Sequence, residues 1–190
     1  MPAHVSYSLT LSLDGYISNK GGQINLPVPQ AELHRHFNEL QARTALNLYG
    51  RRMYEVMSYW EAGQGRENDA AHEQEFARAW QATPKVVVST TLEKVGSNAR
   101  LIKTDVERRL RQLKAETSGE IEVNGAGLAA SLARWNLIDE YRMYFWPVVL
   151  GEGTPYFEAG LALQLEPLGS EMLPQGVILL RYRPASAANS

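Results

Sequence analysis

Between Val5 and Leu13 every odd position is apolar and every even one is Ser or Thr. That period of two predicts a strand buried on one face. Asp14-Gly15 then turns the chain. Residues 18–29, broken by Pro27 and Pro29, read as a loop. Leu33, Phe37 and Leu40 share one helical face and predict a helix over 30–43. Ala45–Tyr49 reads as a short strand running into Gly50-Arg51-Arg52, where a helix is expected to start. Residues 61–69 are Gly-rich and polar and are expected to be mobile. Phe76 and Trp80 mark a helix that ends before Pro84.

Further on, Lys85–Ser89 is a β-branched run suited to a buried strand. Residues 99–103 form another candidate strand. Thr104 and Glu107 have capping-box spacing ahead of a stripe of Val106, Leu110 and Leu113. Glu120–Val123 reads as a strand and Asn124–Gly127 as a turn. Leu128 and Leu132 open a helix ending near Asn136. Tyr141–Leu150 is the longest strand candidate, Leu161, Leu163 and Leu165 alternate, and Val177–Tyr182 is a last strand.

The strand–helix alternation in the middle predicts parallel pairing through helical crossovers. The all-strand end predicts antiparallel additions. The expected fold is therefore α/β: a mixed, mostly parallel sheet with helices on both faces and antiparallel C-terminal strands. Residues 1–184 read as a single domain and 185–190 as a frayed tail.

Composition narrows the chemistry. The chain has 190 residues, 19 Lys+Arg against 21 Asp+Glu, and a formal net charge of -2. That balance disfavours a nucleic-acid binder relying on bulk positive charge. The chain has no Cys, which excludes disulfides, thiol redox chemistry and Cys-ligated metals. No apolar run approaches the ~20 residues that span a bilayer, and the start shows no signal-peptide pattern. The expected compartment is the cytoplasm. Gly-x-Ser-x-Gly, Gly-Lys-Ser/Thr and His-Glu-x-x-His motifs are all missing. His34 and His36 sit two apart on a helix and point about 200° apart, so they cannot share a metal. They read as solvent-facing, and no metal site is expected.

Three turns at strand ends suit phosphate. In Gly50-Arg51-Arg52-Met53, glycine admits a close ligand, the arginines match phosphate oxygens, and a helix start offers free N–H groups. Ser89-Thr90-Thr91 places hydroxyls at a strand's carboxyl end, where α/β sheets bind ligands. Gly125-Ala126-Gly127-Leu128 fits a loose dinucleotide pattern, but its acids Asp139 and Glu140 come too early for a standard Rossmann fingerprint. Each turn alone also fits a plain surface turn or cap. Together they point to a dinucleotide, and Arg51 with the 89–91 hydroxyls favours NADPH over NADH.

In order, these segments resemble the dihydrofolate reductase-like superfamily. The resemblance is carried by Ser12–Ile17, Tyr49–Glu55, Lys85–Leu92, Val123–Gly127, Leu137–Tyr141, Pro147–Gly153 and Pro155–Phe157. The branch it is most similar to is that of standalone bacterial proteins related to the reductase domain of the riboflavin-biosynthesis deaminase/reductase. The resemblance implies a cofactor phosphate at Gly50, Arg51 and Arg52, and the adenosine end at Ser89, Thr90 and Thr91. It places the pyrophosphate and nicotinamide turn at Gly125, Ala126, Gly127 and Leu128, beneath a mobile segment around Asp14–Ile17. Met53 stands where dihydrofolate reductases usually carry Thr, so one hydroxyl contact is missing. Glu32 falls near the folate enzymes' substrate-binding acid, and Asp14 matches the riboflavin branch. Both are candidate proton donors, and both also fit plain roles, a first-turn Glu and an Asp-Gly turn. Tyr16, Trp60 and Tyr144 could wall a heterocycle, although each fits core packing as well.

The implied activity is hydride transfer from NADPH to a small pterin-like, pyrimidine-like or carbonyl compound. The alternative is a non-catalytic dinucleotide-binding regulatory or interaction module on the same fold. A homodimer is expected through the apolar late strands, Tyr141–Leu150 and Val177–Tyr182.

Overall fold

The computed structural model describes residues 1–61, 69–96 and 98–185. Most of the Gly-rich 61–69 stretch and all of 186–190 lie outside them.

The strands are β1 (His4–Leu11), β2 (Tyr16–Ser18), β3 (Thr44–Gly50), β4 (Lys85–Val88), β5 (Ala99–Ile102), β6 (Glu120–Asn124), β7 (Glu140–Phe145), β8 (Thr154–Pro155), β9 (Leu165–Met172) and β10 (Ile178–Pro184). The helices are α1 (Ala31–Arg43), α2 (Arg51–Met57), α3 (Ala71–Ala82), α4 (Val106–Glu116) and α5 (Ala126–Arg134). Eight strands form one sheet in the order β5-β4-β3-β6-β1-β7-β10-β9, and β2 pairs with β8 apart from it. From β5 to β7 all neighbours are parallel, while β10 runs antiparallel to both β7 and β9. This is the mixed, mostly parallel sheet that the element order predicts. No helix among the described residues is long and apolar enough to cross a membrane.

Alternation along the strands divides the sheet into two faces. Tyr7, Leu48, Ile121, Val123, Tyr141 and Met143 pack with Leu110 and Leu113 of α4 and Ala129 and Leu132 of α5. Burying each large apolar side chain there contributes roughly 1.5–3 kcal/mol. Tyr144 and Leu179 point the other way and pack with Leu33 of α1, together with Trp146, Leu173 and Val177.

The alternation in β1 carries a different meaning from the one expected. Its Ser positions do not face water: Ser6 and Ser8 are buried. The polar set lies beneath the α1 side of the sheet, so β1 is covered on both faces. His34 also departs from expectation, because it is buried among the rings of Trp60, His72 and Phe76. His36 is half-buried against Tyr144. The two rings do diverge, but the sheet and α3 cover the helix face assigned to solvent.

Several boundaries shift for local reasons. β7 stops at Phe145 because Pro147 has no N–H to continue the ladder. Val148 N–H instead closes a tight turn on Trp146 O at 2.8 Å. The Leu161–Leu165 alternation is not a strand, since Leu161 and Leu163 only lean on the core and β9 begins at Leu165. The Thr104–Glu107 capping box does not form. Asp105 takes the N-cap position at φ 52 without a side-chain cap, and Glu107 pairs with Arg111. Ala126 and Gly127 belong to the first turn of α5 rather than to a preceding loop. β7 is an interior strand with β1 on one side and β10 on the other, and nearly all of its residues are buried. It therefore offers no free edge to the homodimer expected through Tyr141–Leu150.

Candidate active site

β3 and β6 are neighbours in the sheet, so the turns leaving their carboxyl ends lie side by side. α2 starts after Gly50 and α5 after Gly125, and neither N-terminus has a side-chain cap. The first intrahelical bond of α5 is Ala129 N–H to Gly125 O, 2.9 Å. The N–H groups of Ala126, Gly127 and Leu128 therefore lack intrahelical acceptors. Gly125 has φ 121, which excludes other residues in practice. A side chain there would also stand 3.7 Å from Gly50 N, between the two turns. Gly127 faces open space.

These turns form one wall of a cavity of about 350 Å³. Gly50, Arg51, Arg52 and Met53 line it together with Gly125, Ala126, Gly127 and Leu128. Ile17, Ser18 and Thr154, from the β2–β8 pair, close the opposite side. No Asp or Glu lines this cavity. Two of the three predicted phosphate turns thus meet at one place. Ser89-Thr90-Thr91 lies one strand over, after β4, and outside the cavity lining. Ser89 Oγ accepts from the N–H groups of Thr91 and Leu92, so that hydroxyl orders its own turn.

Ile24, Met53 and Val56 also line a second cavity of about 410 Å³, so the two spaces adjoin. Phe37 and Leu40 of α1, Trp60, Phe76 and Tyr144 supply apolar walls. Its floor is polar and comes from three neighbouring strands: Ser8 of β1, Glu122 of β6 and Asn47 of β3. All three are more than nine-tenths buried. Among the described residues Asn47 Oδ1 has no hydrogen-bond partner, and Ser8 Oγ makes no hydrogen bond of good geometry, although it lies near enough to the Glu122 carboxyl to oppose its pKa shift. Burial, helped by the nearby charge of Glu120 and opposed by Arg142, pushes the Glu122 carboxyl up to about 7. His34 also lines this cavity, and its burial holds the imidazole below its ordinary pKa.

Trp60 and Tyr144 stand in the walls as the sequence predicts. Tyr16 does not line either cavity, and its neighbours Ile17 and Ser18 do. Glu32 is exposed on α1 and lines neither space. Asp14 is exposed too. Its carboxylate accepts from the N–H groups of Leu150 (3.1 Å) and Gly151 (2.7 Å). That holds the Asp-Gly turn to the 148–151 loop, and these bonds with Ser12 lower its pKa. The residues that sequence reasoning missed are Ser8, Asn47, His34 and Glu122. A faint signal existed, since Glu-Ile-Glu-Val-Asn and Leu-Asn-Leu both alternate polar with apolar.

The fold is a mixed, mostly parallel α/β sheet with two adjoining cavities. The model of the RibD C-terminal domain family matches residues 3–179, and the chain belongs to that family. It is 26% identical over 176 residues to the protein YyaP of Bacillus subtilis, covering 92% of this chain and 91% of that one. Among solved structures it is similar to the diaminohydroxyphosphoribosylaminopyrimidine deaminase/5-amino-6-(5-phosphoribosylamino)uracil reductase of Thermotoga maritima. There the TM-score is 0.66 at 15% identity, over 97% of this chain and 57% of that one. This chain therefore spans little more than half of that enzyme. It is also similar to dihydrofolate reductase from Enterococcus faecalis complexed with NADP(H), with a TM-score of 0.65 at 10% identity, over 96% of this chain and 97% of that one. The fold is thus dihydrofolate reductase-like.

Proposed function

We propose that the chain is an NADPH-dependent reductase of a small heterocyclic or carbonyl compound. The observation that carries this reading is the meeting of two unlike cavities at the carboxyl edge of a parallel sheet. One is walled by arginines and uncapped helix starts, and the other by aromatic and aliphatic side chains over a polar floor. Membership of the RibD C-terminal domain family and similarity to a reductase and to an NADP(H) complex support the same reading.

The outer cavity fits a dinucleotide phosphate on its own chemistry. Gly127 leaves open the space a side chain would fill, the first-turn N–H groups of α5 lack intrahelical acceptors, and Arg51 and Arg52 add positive charge with no acid among the described lining residues. NADPH, when bound, supplies the hydride. The protein binds its phosphates through Arg51, Arg52 and the α5 N–H groups. Met53 and Val56 line both cavities and place apolar surface where they join. Of the acids present, Glu122 rather than Asp14 or Glu32 lies in the lining. Near neutral pH it can hold a proton within the inner cavity.

Calorimetric titration with NADPH and NADH tests the reading. NADPH should bind at micromolar concentration, and failure of both dinucleotides below millimolar would overturn it. Arg51→Ala should weaken NADPH by about tenfold, the loss of one charge-assisted contact of roughly 1.5 kcal/mol. It should leave NADH nearly unchanged, and equal losses would remove Arg51 from the 2′-phosphate.

A further inference from the structure

The floor of the inner cavity carries information about the substrate, given the reductase reading. Ser8, Asn47 and Glu122 are buried side by side on β1, β3 and β6. Among the described residues Asn47 Oδ1 has no hydrogen-bond partner and Ser8 Oγ makes no hydrogen bond of good geometry, lying only close enough to the Glu122 carboxyl to oppose its pKa shift. A buried orphan oxygen costs roughly 1–3 kcal/mol, so three adjacent strands present unsatisfied or costly polar groups to one space. The Asn47 amide oxygen is an acceptor, the Glu122 carboxyl accepts in either protonation state and donates as well when protonated, and the Ser8 hydroxyl can accept or donate. Such a floor fits a ring edge bearing N–H groups.

The charges say what the cavity does not fit. Glu73 and Glu122 line it, and among the described residues no Lys or Arg does. Arg142, on this sheet face, pairs in register with Ser8. It is already committed to Glu120 and Glu140. Glu140 is further paired with His4 and Arg181. Phosphate placed among these walls would bury negative charge beside two carboxyl groups, with no Lys or Arg counter-ion among the described lining residues.

We infer that the inner cavity takes an uncharged planar heterocycle, seated by its N–H-bearing edge on Ser8, Asn47 and Glu122, and that it rejects a phosphorylated one. The aromatic and aliphatic walls of Phe37, Trp60, Phe76 and Tyr144 match the flat faces of such a ring. This sets the chain apart from the Thermotoga maritima relative, whose name specifies a phosphoribosylamino substrate.

The experiment uses the full chain saturated with NADP⁺, so that the outer cavity is filled. 6-Hydroxymethylpterin and its diphosphate share one ring and differ only in the phosphates, and the pterin's fluorescence reports binding. The neutral pterin should bind at least about tenfold tighter than its diphosphate. Glu122→Gln and, separately, Ser8→Ala should each weaken the neutral pterin by about tenfold and about threefold respectively. NADP⁺ affinity, measured by calorimetry, should stay within about twofold in both variants and shows that each is folded. Equal or tighter binding of the diphosphate overturns the inference, as does unchanged pterin binding in both variants. Absence of pterin binding alongside normal NADP⁺ binding also overturns it and leaves the reductase reading standing. Absence of NADP⁺ binding removes the reductase reading itself.

Discussion

At the residue scale, Glu122 is the most consequential side chain in the molecule. Its carboxyl titrates near 4.5 in an unfolded chain and is pushed up to about 7 when folded. Between those values the folded state holds the proton more tightly than the unfolded state, so stability falls as pH rises from about 4.5 to about 7. Above that range the group imposes a penalty on the order of 3 kcal/mol. Glu122→Gln should therefore melt about 5 °C or more above the parent at pH 8 and show no gain at pH 4.5. Thermal melts at both pH values check this, and an equal gain at both would point to packing rather than charge. A group that lowers stability at working pH while lining a cavity is the pattern of a functional residue. Asp14 is the opposite case. It is an exposed carboxylate whose pKa is lowered first by the Ser12 hydroxyl and then by the N–H groups of Leu150 and Gly151, and its geometry is that of a loop staple.

Among the elements, the smallest pair matters most to the outer cavity. β2 and β8 contribute few residues, yet Ile17, Ser18 and Thr154 close the side facing the phosphate turns. Gly153 makes their approach possible, because a Cβ there would stand 1.9 Å from Ser18 O. Neither backbone can yield without separating the strands. Gly153→Ala should weaken NADPH by about tenfold or more and lower the melting temperature by several degrees, at a cost of roughly 1–3 kcal/mol. Calorimetry and thermal melts read the two effects, and an unchanged NADPH affinity would show that this pair does not shape the cofactor site. Sequence patterning misses these strands because they are too short to show a period. α1, by contrast, is plainly legible in Leu33, Phe37 and Leu40, since its apolar stripe packs on the sheet and cavity wall.

For the whole molecule, the outer cavity borders elements from distant parts of the chain: β2, α2 and α5. A ligand bound there ties them together and stabilises only the folded state. NADPH at about a hundred times its dissociation constant should add about 2.7 kcal/mol. For a chain of this size that raises the melting temperature by about 5–10 °C. A melt with and without NADPH measures it, and a rise with NADH equal to that with NADPH would deny the 2′-phosphate a role. The sheet order also bears on assembly. With β7 inside, β9 and β5 are the two edges of the large sheet, and association through strand edges would have to use one of them.

By itself the sequence determined the local features. Period two marked β1, β-branched runs marked β4, and glycines at strand ends marked the turns of Gly50 and Gly125. These depend on a few neighbouring residues and on backbone sterics, so they can be read along the chain. Tertiary structure decided which polar faces coincide. Ser8, Asn47 and Glu122 look like ordinary alternation in three separate strands. Only the parallel register of β1, β6 and β3 stacks them on one face, and only α1 and α3 cover that face. The same alternation would mark a solvated surface if those helices lay elsewhere. Burial and field at a residue are sums over everything packed around it, and those sums set the chemistry of the inner cavity.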